Sequence, residues 1–163
     1  VENLNVYIDF QLNIEEGTPI FSAQATCLRY TEDLERAITV GHATVFLVKL
    51  SQDTYLDVCV DADCICADLY TVLTSLEKIC DLDNLQGLVA TFHTLSMTEE
   101  GKCLENAFME KIIKQLALLN VEVVLTTDAN ETLRSLGFEN YEISDNLSVM
   151  YKYLQKQYVT LEK

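Results

Sequence analysis

At the start of the chain Leu4, Val6, Ile8, Phe10, Leu12 and Ile14 occupy every second position. Side chains alternate across a strand, so this spacing predicts a half-buried β-strand over 4–14. Glu15-Glu16-Gly17-Thr18-Pro19 is a turn signal. The mixed apolar run over 20–30 then predicts the second arm of an antiparallel hairpin. Thr31, with Glu32, Asp33 and Glu35 behind it, offers a cap and an acidic first turn, and predicts a short helix over 31–38. The β-branched run over 43–50 predicts a central strand. The period then changes. Ile65, Leu69, Val72, Leu73, Leu76, Ile79 and Cys80 recur at helical spacing, predicting a helix that starts near Asp63.

Residues 81–84 read as a loop and 88–97 as a second buried strand. A loop over 98–102 leads into a long amphipathic helix with the stripe Leu104, Phe108, Ile112, Ile113, Leu116 and Leu119. Asn120 closes it. A short strand follows over 121–126, then a short helix over 130–136 stopped by Gly137, and a terminal strand pair at 141–144 and 149–154. Strands that alternate with helices in mid-chain require a mixed sheet covered by helices. The expected architecture is α/β (α+β), with a mixed, mostly antiparallel central sheet and helices on both faces. No repeat, low-complexity run or Pro-rich linker divides the chain, so a single domain over 1–163 is expected.

Composition adds exclusions. Apolar residues make up 49% and charged residues 23% of the 163, which is globular and excludes disorder as the main state. The 26 acids against 11 bases give −15, which argues against direct binding of nucleic acid and against adsorption to anionic lipid. No window of 18 residues is apolar enough to span a membrane, and the first residues lack a basic signal-peptide start. The cytoplasm is the expected compartment. Six cysteines, at 27, 59, 64, 66, 80 and 103, are read as reduced thiols, several of them small core residues. Cys64-Ile65-Cys66 is C-x-C rather than C-x-x-C, and neither His42 nor His93 sits in a ligand-spaced pair, so no zinc site is expected. Asp57, Asp61, Asp63 and Asp68 lack the glycine and closing glutamate of a calcium loop and are read as an acidic loop and helix start, with no metal. His93 is a candidate general base, with a satisfied core histidine as the alternative; the strand pattern puts it on the face opposite Phe92.

Residues 85–154 carry the arrangement buried strand, loop, long helix, strand, and short helix ending in Leu136-Gly137-Phe138, then a strand pair. This resembles the GNAT N-acetyltransferase superfamily. The resemblance implies acyl transfer from acetyl-CoA to an amine, with the cofactor pyrophosphate held on backbone N–H groups after the fourth strand. A helix start offers unpaired donors and a positive dipole end to an anion. Carried onto this chain, the resemblance places Gly101, Lys102, Cys103 and Leu104 at the pyrophosphate, the backbone of Leu95, Ser96 and Met97 at the acyl oxygen, and Asn130 at the start of the short helix. His93 would be the catalytic base. Asn130 also reads as an ordinary N-cap.

The sequence departs from the family's Arg/Gln-x-x-Gly-x-Gly/Ala loop. Glu100 stands at the arginine position, Cys103 and Glu105 at the two glycines, and no tyrosine precedes Leu136-Gly137-Phe138, where Leu133 and Thr132 lie. Residues 87–138 also resemble the second half of a STAS-type domain, although the Asp-Ser of that family's loop is absent near Ser96 and Thr98. Two functions follow from the GNAT resemblance. One is an N-acetyltransferase with an atypical cofactor loop; the other is an inactive, GNAT-shaped acidic binding protein or nucleic-acid mimic working through a protein partner. Residues 1–101 hold 17 acids and 4 bases, against 9 and 7 in 102–163. Under either reading the expected partner is a basic small molecule or a basic protein.

Overall fold

The computed structural model describes residues 6–31, 33, 35–128 and 130–155. Leu4 of the leading alternation lies outside them. Val6 to Leu12 of that alternation lie in β1 (Val6–Asn13), paired antiparallel with β2 (Ile20–Tyr30) from Val6↔Arg29 to Asn13↔Ser22, while Ile14 falls beyond the strand and is exposed. The connecting turn uses Gly17 at φ +84°, a conformation that costs little only for glycine. Then come β3 (Ala37–Lys49), α1 (Tyr55–Ile65), α2 (Ala67–Ile79), β4 (Leu88–Met97), α3 (Glu105–Leu118), β5 (Val121–Thr126), α4 (Glu131–Ser135), β6 (Glu139–Ser144) and β7 (Leu147–Tyr153). The sheet order is β1-β2-β3-β4-β5-β7-β6, and only the β4–β5 pair is parallel.

Strand alternation splits the interior into two layers. Ala25, Cys27, Ala43, Val45, Ala90 and Phe92 face α3 and α4, where Phe108, Ile112, Leu116 and Leu133 meet them. Val48, Val89, Val123 and Leu125 face α1 and α2, against Val58, Ala62, Leu69, Leu73 and Leu76. Each fully buried Leu, Ile or Phe contributes roughly 1.5–3 kcal/mol. Helices therefore cover both faces, as the pattern predicts. Among the described residues, no helix is long and apolar enough to cross a membrane.

Two predicted elements are corrected. Among the described residues of 31–38 none is helical. Thr31 closes the β2–β3 turn instead of capping a helix: its N–H donates to the Arg36 carbonyl at 2.9 Å, and its hydroxyl bonds the Asp33 carboxylate. Ile38 and Thr39 then pair with Arg29 and Leu28 in β3, where their stiff, β-branched side chains suit an extended backbone. The helix expected from Asp63 is two helices, beginning at Tyr55 and broken at Cys66, whose backbone is extended (φ −164°, ψ 151°). The buried positions run on in nearly the same phase from Val58, Cys59 and Ala62 to Leu69, Val72 and Leu73, so periodicity passes over the break. Ile65, assigned to the buried stripe, is exposed.

Two of the sheet's four register shifts bear on the site. Leu28 pairs with Thr39 and Cys27 with Gly41, leaving Val40 as the extra residue of β3. Thr44 pairs with Thr94 and Val45 with Phe92, leaving His93 as the extra residue of β4. A bulge bends its strand and re-aims nearby groups.

Candidate functional site

The candidate site lies where β4 leaves β5 and enters α3. Parallel pairing between the two strands runs from Leu88↔Val121 to Thr91↔Leu125. Beyond Thr91 β4 pairs only with β3, through Leu95↔Ala43, Ser96↔His42 and Met97↔Gly41. Thr98 N–H donates to the Val40 carbonyl at 2.9 Å, on the β3 side. Strand alternation then turns the N–H groups of Leu95 and Met97 to the edge facing the gap, and that of Ser96 towards β3. Of the three backbone positions named from sequence, two therefore face the opening.

His93 sits on the bulge at the head of this gap. Its ring lies on the α1–α2 side, with Nδ1 4.0 Å from Cys66 Sγ and its centroid 5.1 Å from that of Phe46. Phe92 belongs to the opposite, α3 layer, as the alternation predicts. The Cys66 neighbour escaped the sequence reading, because no short-range spacing links residue 66 to residue 93.

The β4–α3 connection is a 3-10 turn over Glu99–Leu104, capped by Thr98, with α3 following from Glu105. Thr98 Oγ1 accepts from Gly101 N–H at 3.1 Å and donates to the Val40 carbonyl at 3.3 Å. The i→i+3 bonds of a 3-10 turn occupy the following N–H groups; the Gly101 N–H also reaches the Thr98 carbonyl at 2.9 Å. Glu99 and Glu100 are left with the free backbone donors of this turn, and each carries a carboxylate. Lys102 Nζ lies 2.6 Å from Glu99, and Arg29 lies 3.7 Å from Glu100. The two cations at the loop thus already have carboxylate partners from the loop itself. Glu105 accepts a hydrogen bond from Thr132 Oγ1 at 3.2 Å, tying the start of α3 to the first turn of α4. Cys103 is exposed, with Sγ 3.7 Å from the Glu100 carbonyl. Leu104 is buried in the α3 layer.

Gly101 has a packing role. A Cβ on it would stand 2.3 Å from the Val40 carbonyl oxygen and 2.9 Å from Val40 Cβ. The bulge pushes Val40 against the loop, and only glycine fits beneath it. Thr98 was named only beside the absent Asp-Ser and not as a cap, although a threonine directly ahead of two acids is an N-cap signal.

At α4, Asn130 Oδ1 accepts from Leu133 N–H at 2.8 Å, the expected N-cap bond. Gly137, at φ +88°, ends the helix. Phe138 N–H reaches the Leu133 carbonyl at 3.1 Å and Gly137 N–H the Arg134 carbonyl at 3.0 Å, which is a Schellman stop. Leu133 and Phe138 are both buried beneath it. The Leu136-Gly137-Phe138 step is thus a helix-ending device. Among the described residues, no three His, Cys, Asp or Glu side chains converge as a metal site.

No protein-family model matches the sequence, and no curated protein matches it. Solved structures do. A mutant agmatine N-acetyltransferase in its apo form aligns over 80% of this chain and 73% of its own, at 9% identity and a TM-score of 0.51. Arylalkylamine N-acetyltransferase 2 from Aedes aegypti aligns over the same shares, at 15% identity and a TM-score of 0.50. Together with the seven-stranded mixed sheet, these likenesses establish that the chain has the GNAT acetyltransferase fold.

The GNAT fold implies acetyl-CoA, and the loop residues do not fit its pyrophosphate. The donors from Gly101 onwards are engaged within the turn, both nearby cations are paired, and Glu99, Glu100 and Glu105 surround the helix start. At an effective dielectric near 20, one like-charge contact at about 4 Å opposes binding by roughly 4 kcal/mol, less where solvent screens it.

Proposed function

We propose that this chain is a GNAT-fold binding protein that acts through a basic partner and does not hold acetyl-CoA on its β4–α3 loop. One observation carries the reading: Thr98 caps the helix start at Gly101, and the donors left open there belong to Glu99 and Glu100, whose own carboxylates stand beside them. Fold does not decide the matter, because function resides in the site and not in the scaffold. The charge of −15 supports a basic partner, whose approach such a field accelerates. Calorimetric titration with acetyl-CoA tests the reading. Absence of saturation up to about 1 mM supports it, and micromolar affinity, about 8 kcal/mol, overturns it.

A second reading has its own support. The parted strands and the outward N–H groups of Leu95 and Met97 leave an open edge, with the backbone of His93 on the bulge at its head. Under this reading a thioester carbonyl lies against the edge, an amine forms the new bond to its carbon while His93 takes the amine proton, and the sulfur leaves as the thiolate, which then takes up that proton.

A further inference from the structure

The outer face of α1 has no partner in the fold. Its inner face buries Tyr55, Val58, Cys59 and Ala62. Leu56 and Val60, one turn apart on the outside, are 76% and 63% exposed, and Cys64, a further turn on, is exposed as well. Residues four apart stack on one face, so these three form an apolar stripe. Asp57 and Asp61 form the adjoining row. Neither aspartate makes an ion pair within 4.0 Å among the described residues. From residue 50 to residue 77 the chain has six acids and no lysine or arginine.

Asp57 and Asp61 also line a cavity of about 430 Å³, closed on its other side by the Gly17–Pro19 turn and by Lys49. This cavity lies where β3 ends, opposite the Met97 end of β4 that enters the β4–α3 loop. It is large enough for a long side chain. Two unpaired carboxylates face it against the single ammonium of Lys49. An isolated exposed leucine needs no explanation, but an apolar stripe bordered by unpaired acids matches a ligand of mixed character.

We propose that the outer face of α1 docks an amphipathic, basic helical segment of a partner protein. Its apolar residues cover Leu56 and Val60, and a lysine or arginine beside them reaches the cavity wall at Asp57 and Asp61. Charge complementarity selects this occupant over a second copy of the chain, which would bring another −15 to an already acidic face. The inference deepens the binding-protein reading and rests on it for its role. Its test is separate, since acetyl-CoA would be titrated at the other end of β4.

The probe is a synthetic peptide of about 18 residues, five helical turns, with leucines on one face and lysines on the other. Fluorescence titration of the intact protein is expected to give saturable binding. Leu56→Ser with Val60→Ser, and separately Asp57→Asn with Asp61→Asn, each weaken it about tenfold. Leu118→Ser, on an 80% exposed leucine of α3, leaves it unchanged. Bound peptide slows iodoacetamide alkylation of Cys64 but not of Cys103, which is also exposed. All four α1 positions are exposed, and circular dichroism confirms that each variant is folded. No binding, equal binding by either double variant, or unchanged Cys64 alkylation overturns the proposal.

Discussion

Replacing Gly101 with alanine separates a packing glycine from a phosphate-binding one. The added methyl would sit 2.3 Å from the Val40 carbonyl oxygen, an obstacle of backbone and not of a flexible side-chain tip. The loop must lift away from β3. That motion strains the two hydrogen bonds from Thr98 to the same carbonyl, at 2.9 Å from its N–H and 3.3 Å from its hydroxyl. Overpacking costs about 1–3 kcal/mol, and a weakened hydrogen bond adds about 1 kcal/mol. The expected loss is therefore about 2–4 kcal/mol, a fall in Tm of about 5–15 °C for a chain of this size. Urea and thermal unfolding followed by circular dichroism, without ligand, read it directly. Gly101→Ala within about 0.5 kcal/mol of wild type would refute the reasoning, because a free surface loop tolerates such a change.

Asn130→Ala and Gly137→Ala each remove one end of α4, by losing the cap to Leu133 N–H or by forcing a left-handed backbone onto alanine; each is expected to lower the unfolding free energy by about 1 kcal/mol in urea titration. Burial raises the Cys27 and Cys80 thiols to about 11, helped at Cys80 by Asp81 and Glu122. An unfolded thiol ionises near about 8.5, so between that pH and about 11 the unfolded chain binds fewer protons than the folded one. Stability is then full below pH ~8.5 and falls as pH rises through this window. A urea midpoint equal at pH 8 and pH 10.5 would contradict this burial.

Local periodicity carried most of the architecture. The alternation after Val6, the stripe from Phe108 to Leu116 and the Asn130 and Gly137 signals each report a nearest-neighbour rule, and each element stands within a few residues of its predicted place. Where two local rules competed, sequence reading failed. Thr31 and its acids satisfy a helix start and a hairpin turn equally well, and β2 pairing decides for the turn. The break at Cys66 was hidden because the buried phase continues through it. The site was less legible than the fold, since its key contacts join distant residues: Val40 with Thr98 and Gly101, Arg29 with Glu100, Glu105 with Thr132, and Cys66 with His93. The acidic substitutions in the loop were legible from residue types alone. Their pairing with Arg29 and Lys102 was not.

The most direct test of the central claim is calorimetric titration of acetyl-CoA into the reduced protein at low and moderate salt, beside a Glu99→Gln, Glu100→Gln, Glu105→Gln variant. Wild type is expected to show no saturable binding up to about 1 mM, an affinity weaker than about 4 kcal/mol. Removing the three carboxylates is expected to raise the affinity without disturbing the fold. Micromolar binding to wild type, unimproved in that variant, would contradict it and make the Thr98-capped turn a working cofactor loop.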